Sequence, residues 1–221
     1  MEYGADRPGQ VIGGRWKPLH YLLKRSLYTD VMATCGNSSA GTCFVKNDRP
    51  GQAFDGVVTL QALELATGGL ATVHSEDVSL SAGPGESHYF QANLSAVSGS
   101  THMLIATVAE LRDDGALAET AALSVNEILL ATPKAMRLPA AEVTAVLTAS
   151  PNADGSHNVT VTANATALFV TLTTRAHGRF SDNFFGMAPG SRTVAFVPFP
   201  TFNGSQGLGE SLRVEHLKQY L

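Results

Sequence analysis

Six carboxylates stand where acid–base chemistry would first be sought: Asp77, Glu86, Asp113, Asp114, Asp182 and Glu210. Such work needs a carboxyl set against the reacting atom, and retaining displacement at a sugar carbon needs two of them about 5–5.5 Å apart. None of the six has a paired, supported partner in the sequence. Asp113 and Asp114 precede Gly115 in a hairpin-turn signature. Asp182 lies in Ser181-Asp182-Asn183, where short side chains accept hydrogen bonds from nearby backbone N–H groups. No catalytic residue is therefore assigned. The histidines, at 20, 74, 88, 102, 157, 177 and 216, form no His-x-His or His-x-x-x-His pair, so neither a metal site nor a cofactor is expected. No Gly-x-Ser-x-Gly elbow, phosphate loop or dinucleotide fingerprint is present. Trp16, the single tryptophan, offers a ring for sugar stacking, but its position as the first knob of a helix face is the role its spacing favours.

Cys35 and Cys43 flank Gly-Asn-Ser-Ser-Ala-Gly-Thr, a loop short enough for a disulfide to close; the alternative is two free thiols. Five Asn-x-Ser/Thr triplets begin at Asn37, Asn93, Asn158, Asn164 and Asn203, where composition alone would give about 1.5. Used as glycosylation sites, they imply a secretory route; unused, they reflect the Ser/Thr-rich composition. The N-terminus has no hydrophobic signal-peptide core, so a secretory reading makes the chain a piece of a longer precursor or one whose start is misassigned. The net charge of −4 gives no electrostatic footprint for nucleic acid or anionic lipid. No apolar run approaches the roughly 20 residues of a membrane helix.

The elements that must carry these residues are mostly strands. Arg15 to Tyr28 is the exception. Trp16, Leu19, Leu23 and Leu27 recur at steps of three and four and predict one amphipathic helix. From Val31 the pattern predicts short strands: 31–35, 43–46, 57–65, 70–74, 78–82, 88–94, 103–111 and 118–130. Turns about 8–12 residues apart suggest a β-sandwich. Pro133 and Pro139 bracket an irregular piece, which places a boundary near 132. Beyond it, strands are predicted at 142–149, 157–164, 168–173, 192–199 and 211–217. In 157–164, Val159, Val161 and Ala163 alternate with Thr160, Thr162 and Asn164, as a half-buried strand requires.

Three segments resemble the β-mannosidases of glycoside hydrolase family 2. Gly14-Arg15-Trp16-Lys17-Pro18-Leu19-His20-Tyr21 resembles the last helix of that family's catalytic barrel. Val125-Asn126-Glu127 with Thr132-Pro133-Lys134 resembles the crossing between its two C-terminal sandwiches. Gly178 to Phe185, with Arg192-Thr193-Val194, resembles the final sandwich of the lysosomal type; Arg179, Phe180, Ser181, Asp182 and Asn183 are its structural motif residues. The resemblance implies an all-β chain: residues 1–30 a barrel remnant, then two Ig-like antiparallel β-sandwich domains, 31–131 and 132–221. It also implies an accessory role beside a barrel that would precede residue 1 and hold both catalytic glutamates of a retaining exo-β-mannosidase. The expected partners are that barrel and an oligosaccharide, not nucleic acid or membrane, and the expected location is lysosomal or secreted. The other reading is a stand-alone carbohydrate-binding or adhesion module.

Overall fold

In the computed structural model of the chain, residues 18–36, 41–83, 85–112, 122–199 and 205–221 are described. Antiparallel strands dominate, and one helix of more than a single turn, α1 (Pro18–Ser26), stands near the start of the described residues. Arg15, Trp16, Lys17, Asn37, Asn203 and the Asp113-Asp114-Gly115 turn lie outside them. The chain divides into two compact units, one of Lys24–Arg137 and one of Leu138–Leu221 with the chain up to Leu23. The division falls six residues beyond the boundary read from the prolines. Met136 is 5% exposed, and the Arg137 N–H donates to the Ser100 carbonyl at 2.7 Å, so this proline-rich piece still belongs to the first unit.

The first unit contains β1 (Val31–Cys35), β2 (Thr42–Asn47), β3 (Phe54–Glu64), β4 (Leu70–Leu80), β5 (Glu86–Gln91), β6 (His102–Glu110) and β7 (Ser124–Leu129). They form two sheets, β1-β2-β5 and β4-β3-β6-β7. Inward residues of both, among them Val31, Val45, Phe54, Leu60, Phe90 and Leu104, share one core. The strands expected at 70–74 and 78–82 are one strand. Ser75, Glu76 and Asp77 interrupt the apolar pattern, but their backbones continue the ladder opposite Thr59, Val58 and Val57. At one margin the buried Asn126 of β7 donates from Nδ2 to the Ala33 carbonyl of β1 at 3.2 Å. Cys35 and Cys43 face each other in the β1–β2 register and are joined by a disulfide. Replacing both by alanine is expected to lower stability by about 2–3 kcal/mol, the loop-closure value for so short a loop, read as a shift in urea midpoint.

The second unit contains β8 (Val143–Leu147), β9 (His157–Ala163), β10 (Ala167–Thr173), β11 (Gly178–Phe180), β12 (Phe185–Met187), β13 (Gly190–Pro198), the one-turn α2 (Leu208–Ser211) and β14 (Arg213–Glu215). Its sheets are β11-β13-β9-β8 and β12-β10-β14. β9 alternates as its sequence requires, with Val159, Val161 and Ala163 buried. The strand expected at 211–217 is instead α2, β14 and a 3-10 turn at Leu217–Tyr220. The Ser211 hydroxyl donates to the Gly207 carbonyl at 2.6 Å and closes the short helix that replaces the strand's start.

The largest departure concerns α1. The spacing places its apolar stripe on Leu19, Leu23 and Leu27 and leaves that stripe without cover inside the chain. In the structure Tyr21, off the stripe, enters the core of the second unit at 1% exposure, while Leu19 and Leu27 remain 58% and 55% exposed. Tyr21 is drawn in because its ring adds apolar area to the core and its phenol has a backbone partner there.

Candidate functional site

The Gly178–Phe185 corner is built from its glycine outward. A Cβ on Gly178 would lie 2.4 Å from the Phe196 ring and 2.6 Å from the Val197 carbonyl, so no other residue fits there without displacing β13. Phe180 then packs edge-on against Phe196, ring centroids 5.3 Å apart. Ser181 closes the strand end: its N–H donates to the Ala195 carbonyl at 2.6 Å and its hydroxyl accepts from the Ala195 N–H at 3.0 Å.

Asn183 is the pivot. β12 pairs with β10 through Val170 opposite Phe185, so continuing that antiparallel register puts Asn183 opposite Leu172. Phe184 has φ +56°, which turns the backbone out of the ladder. The Asn183 side chain takes its place: Oδ1 accepts from the Leu172 N–H at 2.7 Å and Nδ2 donates to the Leu172 carbonyl at 2.8 Å. Oδ1 also accepts from the Phe184 N–H at 2.9 Å, and the residue is 2% exposed. Among the short polar side chains a carboxamide alone sets a donor and an acceptor on two separate atoms, as the N–H and carbonyl of one residue require. Phe169, at the irregularity in β10, has φ +54°, and its ring stacks on Phe184 with centroids 4.4 Å apart. A non-glycine residue in this conformation costs about 1–2 kcal/mol, so the stacking and the Asn183 bonds must offset two such residues.

Asp182 is a structural carboxylate. Oδ1 accepts from the Asn183 N–H at 2.8 Å, and Oδ2 pairs with Arg192. Arg192 shares the inward row of β13 with Val194 and Phe196, and its guanidinium stacks 4.1 Å above the Phe185 ring. Arg179 is half-buried on β11. Tyr21 completes the corner, its phenol oxygen accepting from the Phe180 N–H at 3.2 Å. Burial, only partly countered by that bond, pushes the Tyr21 pKa up to about 12.

The other carboxylates are dispersed. Asp77 and Glu86 are exposed on β4 and β5. Glu210, on α2, lines an open cavity of about 410 Å³ with Thr173, Arg175, Ser211 and Arg213. Two histidines that sequence spacing leaves apart meet on one carboxylate. Glu76 lies 3.0 Å from His88 Nε2 and 3.5 Å from His74 Nε2, with His74 stacked on Phe90. Pairing across β4 and β5 has no signature in spacing along the chain. Among the described residues no group of three His, Cys, Asp or Glu is arranged to hold a metal ion. Of the described acceptor triplets, Asn93 is exposed in a turn, its Oδ1 accepting from the Ser95 N–H at 3.1 Å. Asn158 exchanges side-chain hydrogen bonds with Asn152, and Asn164 accepts from the Glu142 N–H at 2.8 Å.

The second sandwich has a counterpart among known families: residues 138–220 match the family Ig_mannosidase, described as an Ig-fold domain. The rest of the chain shares a wider likeness. A β-D-mannosidase from Dictyoglomus thermophilum aligns with 90% of this chain at 19% identity and a TM-score of 0.64, using 23% of its own length. An exo-chitosanase of Amycolatopsis orientalis aligns over 90% at 17% identity and 0.55, using 26% of its length. The chain thus spans about a quarter of these enzymes, and at such identities the likeness is one of fold. A comparison with curated proteins finds no match. The expected resemblance to the C-terminal sandwiches of a β-mannosidase is borne out.

Two measurements test the corner. Asn183→Asp removes the donor to the Leu172 carbonyl and buries a charge, and is expected to cost about 3 kcal/mol or more in urea unfolding. Asp182→Asn, at a partly exposed ion pair, should cost about 1 kcal/mol or less. Because the folded-state pKa of Tyr21 is raised, its neutral form is favoured in the fold. Stability is complete below the unfolded value of about 10 and falls as pH rises from there towards 12. Tyr21→Phe should remove that part of the alkaline loss, visible as a flatter melting temperature between pH 9.5 and 11.5 (roughly the window those two values span).

Proposed function

We propose that this chain is the non-catalytic C-terminal accessory region of a β-mannosidase-like glycosidase of the lysosomal type, a fragment whose parent performs retaining hydrolysis of terminal β-D-mannose from oligosaccharides. The observation that carries the reading is the match of residues 138–220 to the mannosidase Ig-fold domain. The fold likeness over 90% of the chain to about a quarter of a β-D-mannosidase supports it. So does α1, whose exposed Leu19 is suited to a neighbour outside these residues. The partner in this reading is the catalytic barrel, which the accessory region braces. A lysosomal or secreted glycoprotein accords with the Cys35–Cys43 disulfide and with the exposed acceptor Asn93.

The chain alone should not hydrolyse 4-nitrophenyl β-D-mannoside. Added to a β-mannosidase from which the corresponding C-terminal region has been cut away, it should raise that enzyme's activity or melting temperature. Turnover by the purified chain itself, surviving replacement of Asp182 and Glu210, would overturn the accessory reading.

A further inference from the structure

The cavity beside α2 does not take part in the corner, and its lining has a definite chemistry. Its floor is a closed hydrogen-bonded unit. Ser211 Oγ donates to the Gly207 carbonyl at 2.6 Å, accepts from the Arg175 N–H at 2.9 Å and lies 2.9 Å from the Thr174 hydroxyl. These bonds tie α2 to the end of β10. On the other side, β14 is fixed in the ladder with Arg213 opposite Thr173. Glu210 and Arg213 are thus delivered to one cavity by two anchored elements. Both are exposed, and neither forms an ion pair with the other or with any described residue.

Two opposite charges lining one cavity without neutralising each other select among ligands. An anion meets Glu210, and a cation meets Arg175 and Arg213. A neutral polyol satisfies both signs, because a hydroxyl donates to a carboxylate while accepting from a guanidinium N–H. Adjacent hydroxyls on a sugar ring present such groups side by side, and the fork of a guanidinium engages two acceptors at once. At about 410 Å³ the cavity falls within the usual range for small-molecule sites, about 300–1,000 Å³. Among the described residues its lining offers hydroxyls and charges, so recognition there rests on hydrogen bonds.

We propose that this cavity is a binding subsite for a neutral saccharide, with Glu210 accepting from and Arg213 donating to neighbouring hydroxyls of one sugar residue. The subsite belongs to this chain and does not depend on the accessory reading above. Binding by the isolated chain and activation of a truncated enzyme therefore succeed or fail separately.

The test is calorimetric and NMR titration of the full chain with D-mannose, D-glucose and D-galactose, with sodium sulfate as an anionic probe. At least one sugar should bind saturably with a Kd on the order of 1–10 mM, as few exposed contacts allow. Glu210→Gln and Arg213→Met should each weaken it about tenfold. Asp182→Asn, outside the cavity, should leave it unchanged, with melting curves checking that each variant is folded. Flat titrations with all three sugars would overturn the proposal. Sulfate binding alone, or sugar binding unaffected by both cavity substitutions, would overturn it equally.

Discussion

The second unit depends on one substitution of side chain for backbone. Where β12 should continue along β10, the main chain turns away at Phe184, and the Asn183 carboxamide supplies both hydrogen bonds that Leu172 would otherwise lack on that edge. In a 2% exposed position those two groups have no water to fall back on, and an unpaired buried amide costs about 1–3 kcal/mol. The rest of the corner holds Asn183 in that position. Gly178 lets β11 lie close to β13, Asp182 pairs with Arg192, Arg192 lies over Phe185, and Phe169 stacks on Phe184. The Gly178–Phe185 corner is therefore one of architecture, with its carboxylate occupied by structural partners.

Sequence made the periodic parts legible. β9 declares itself through Val159, Val161 and Ala163, and the all-β class follows from such alternation with turns between. Ser181-Asp182-Asn183 was readable as a turn with acceptor side chains. That Asn183 also donates across to β10 was not, because it depends on a register 11 residues away. Two phenylalanines at positive φ leave no trace either, since the conformation is rare for that residue and no local composition marks it. Ser75-Glu76-Asp77 misled in the other direction: polar residues read as a break, but on the edge strand β4 Ser75 and Asp77 face water while Glu76 meets His74 and His88. At the C-terminus, Ser211 to Leu217 has strand composition, yet Ser211 bonds back to Gly207 and starts the segment as a helical turn.

The helix shows why a correct element can be assigned the wrong partner. Three-and-four spacing ranks residues by apolarity and misses an amphipathic side chain beside the stripe. Tyr21 contributes a large ring and an oxygen that satisfies the Phe180 N–H, and both count for more in a core than another leucine at the surface. Glu210 was likewise visible as a single carboxylate, but only the placing of α2 and β14 beside β10 sets it and Arg213 around one cavity.

The contact between Tyr21 and Phe180 spans 159 residues. Ribosomes add about 5–20 residues per second, so the tyrosine emerges on the order of ten to thirty seconds before its acceptor site exists. During that interval the continuous segment Lys24–Arg137 has everything it needs to fold, whereas the discontinuous unit must wait for its last strands to return to the beginning. Throughout that interval Tyr21 is without the Phe180 N–H that it will accept, so the closing of this unit waits on its own last strands.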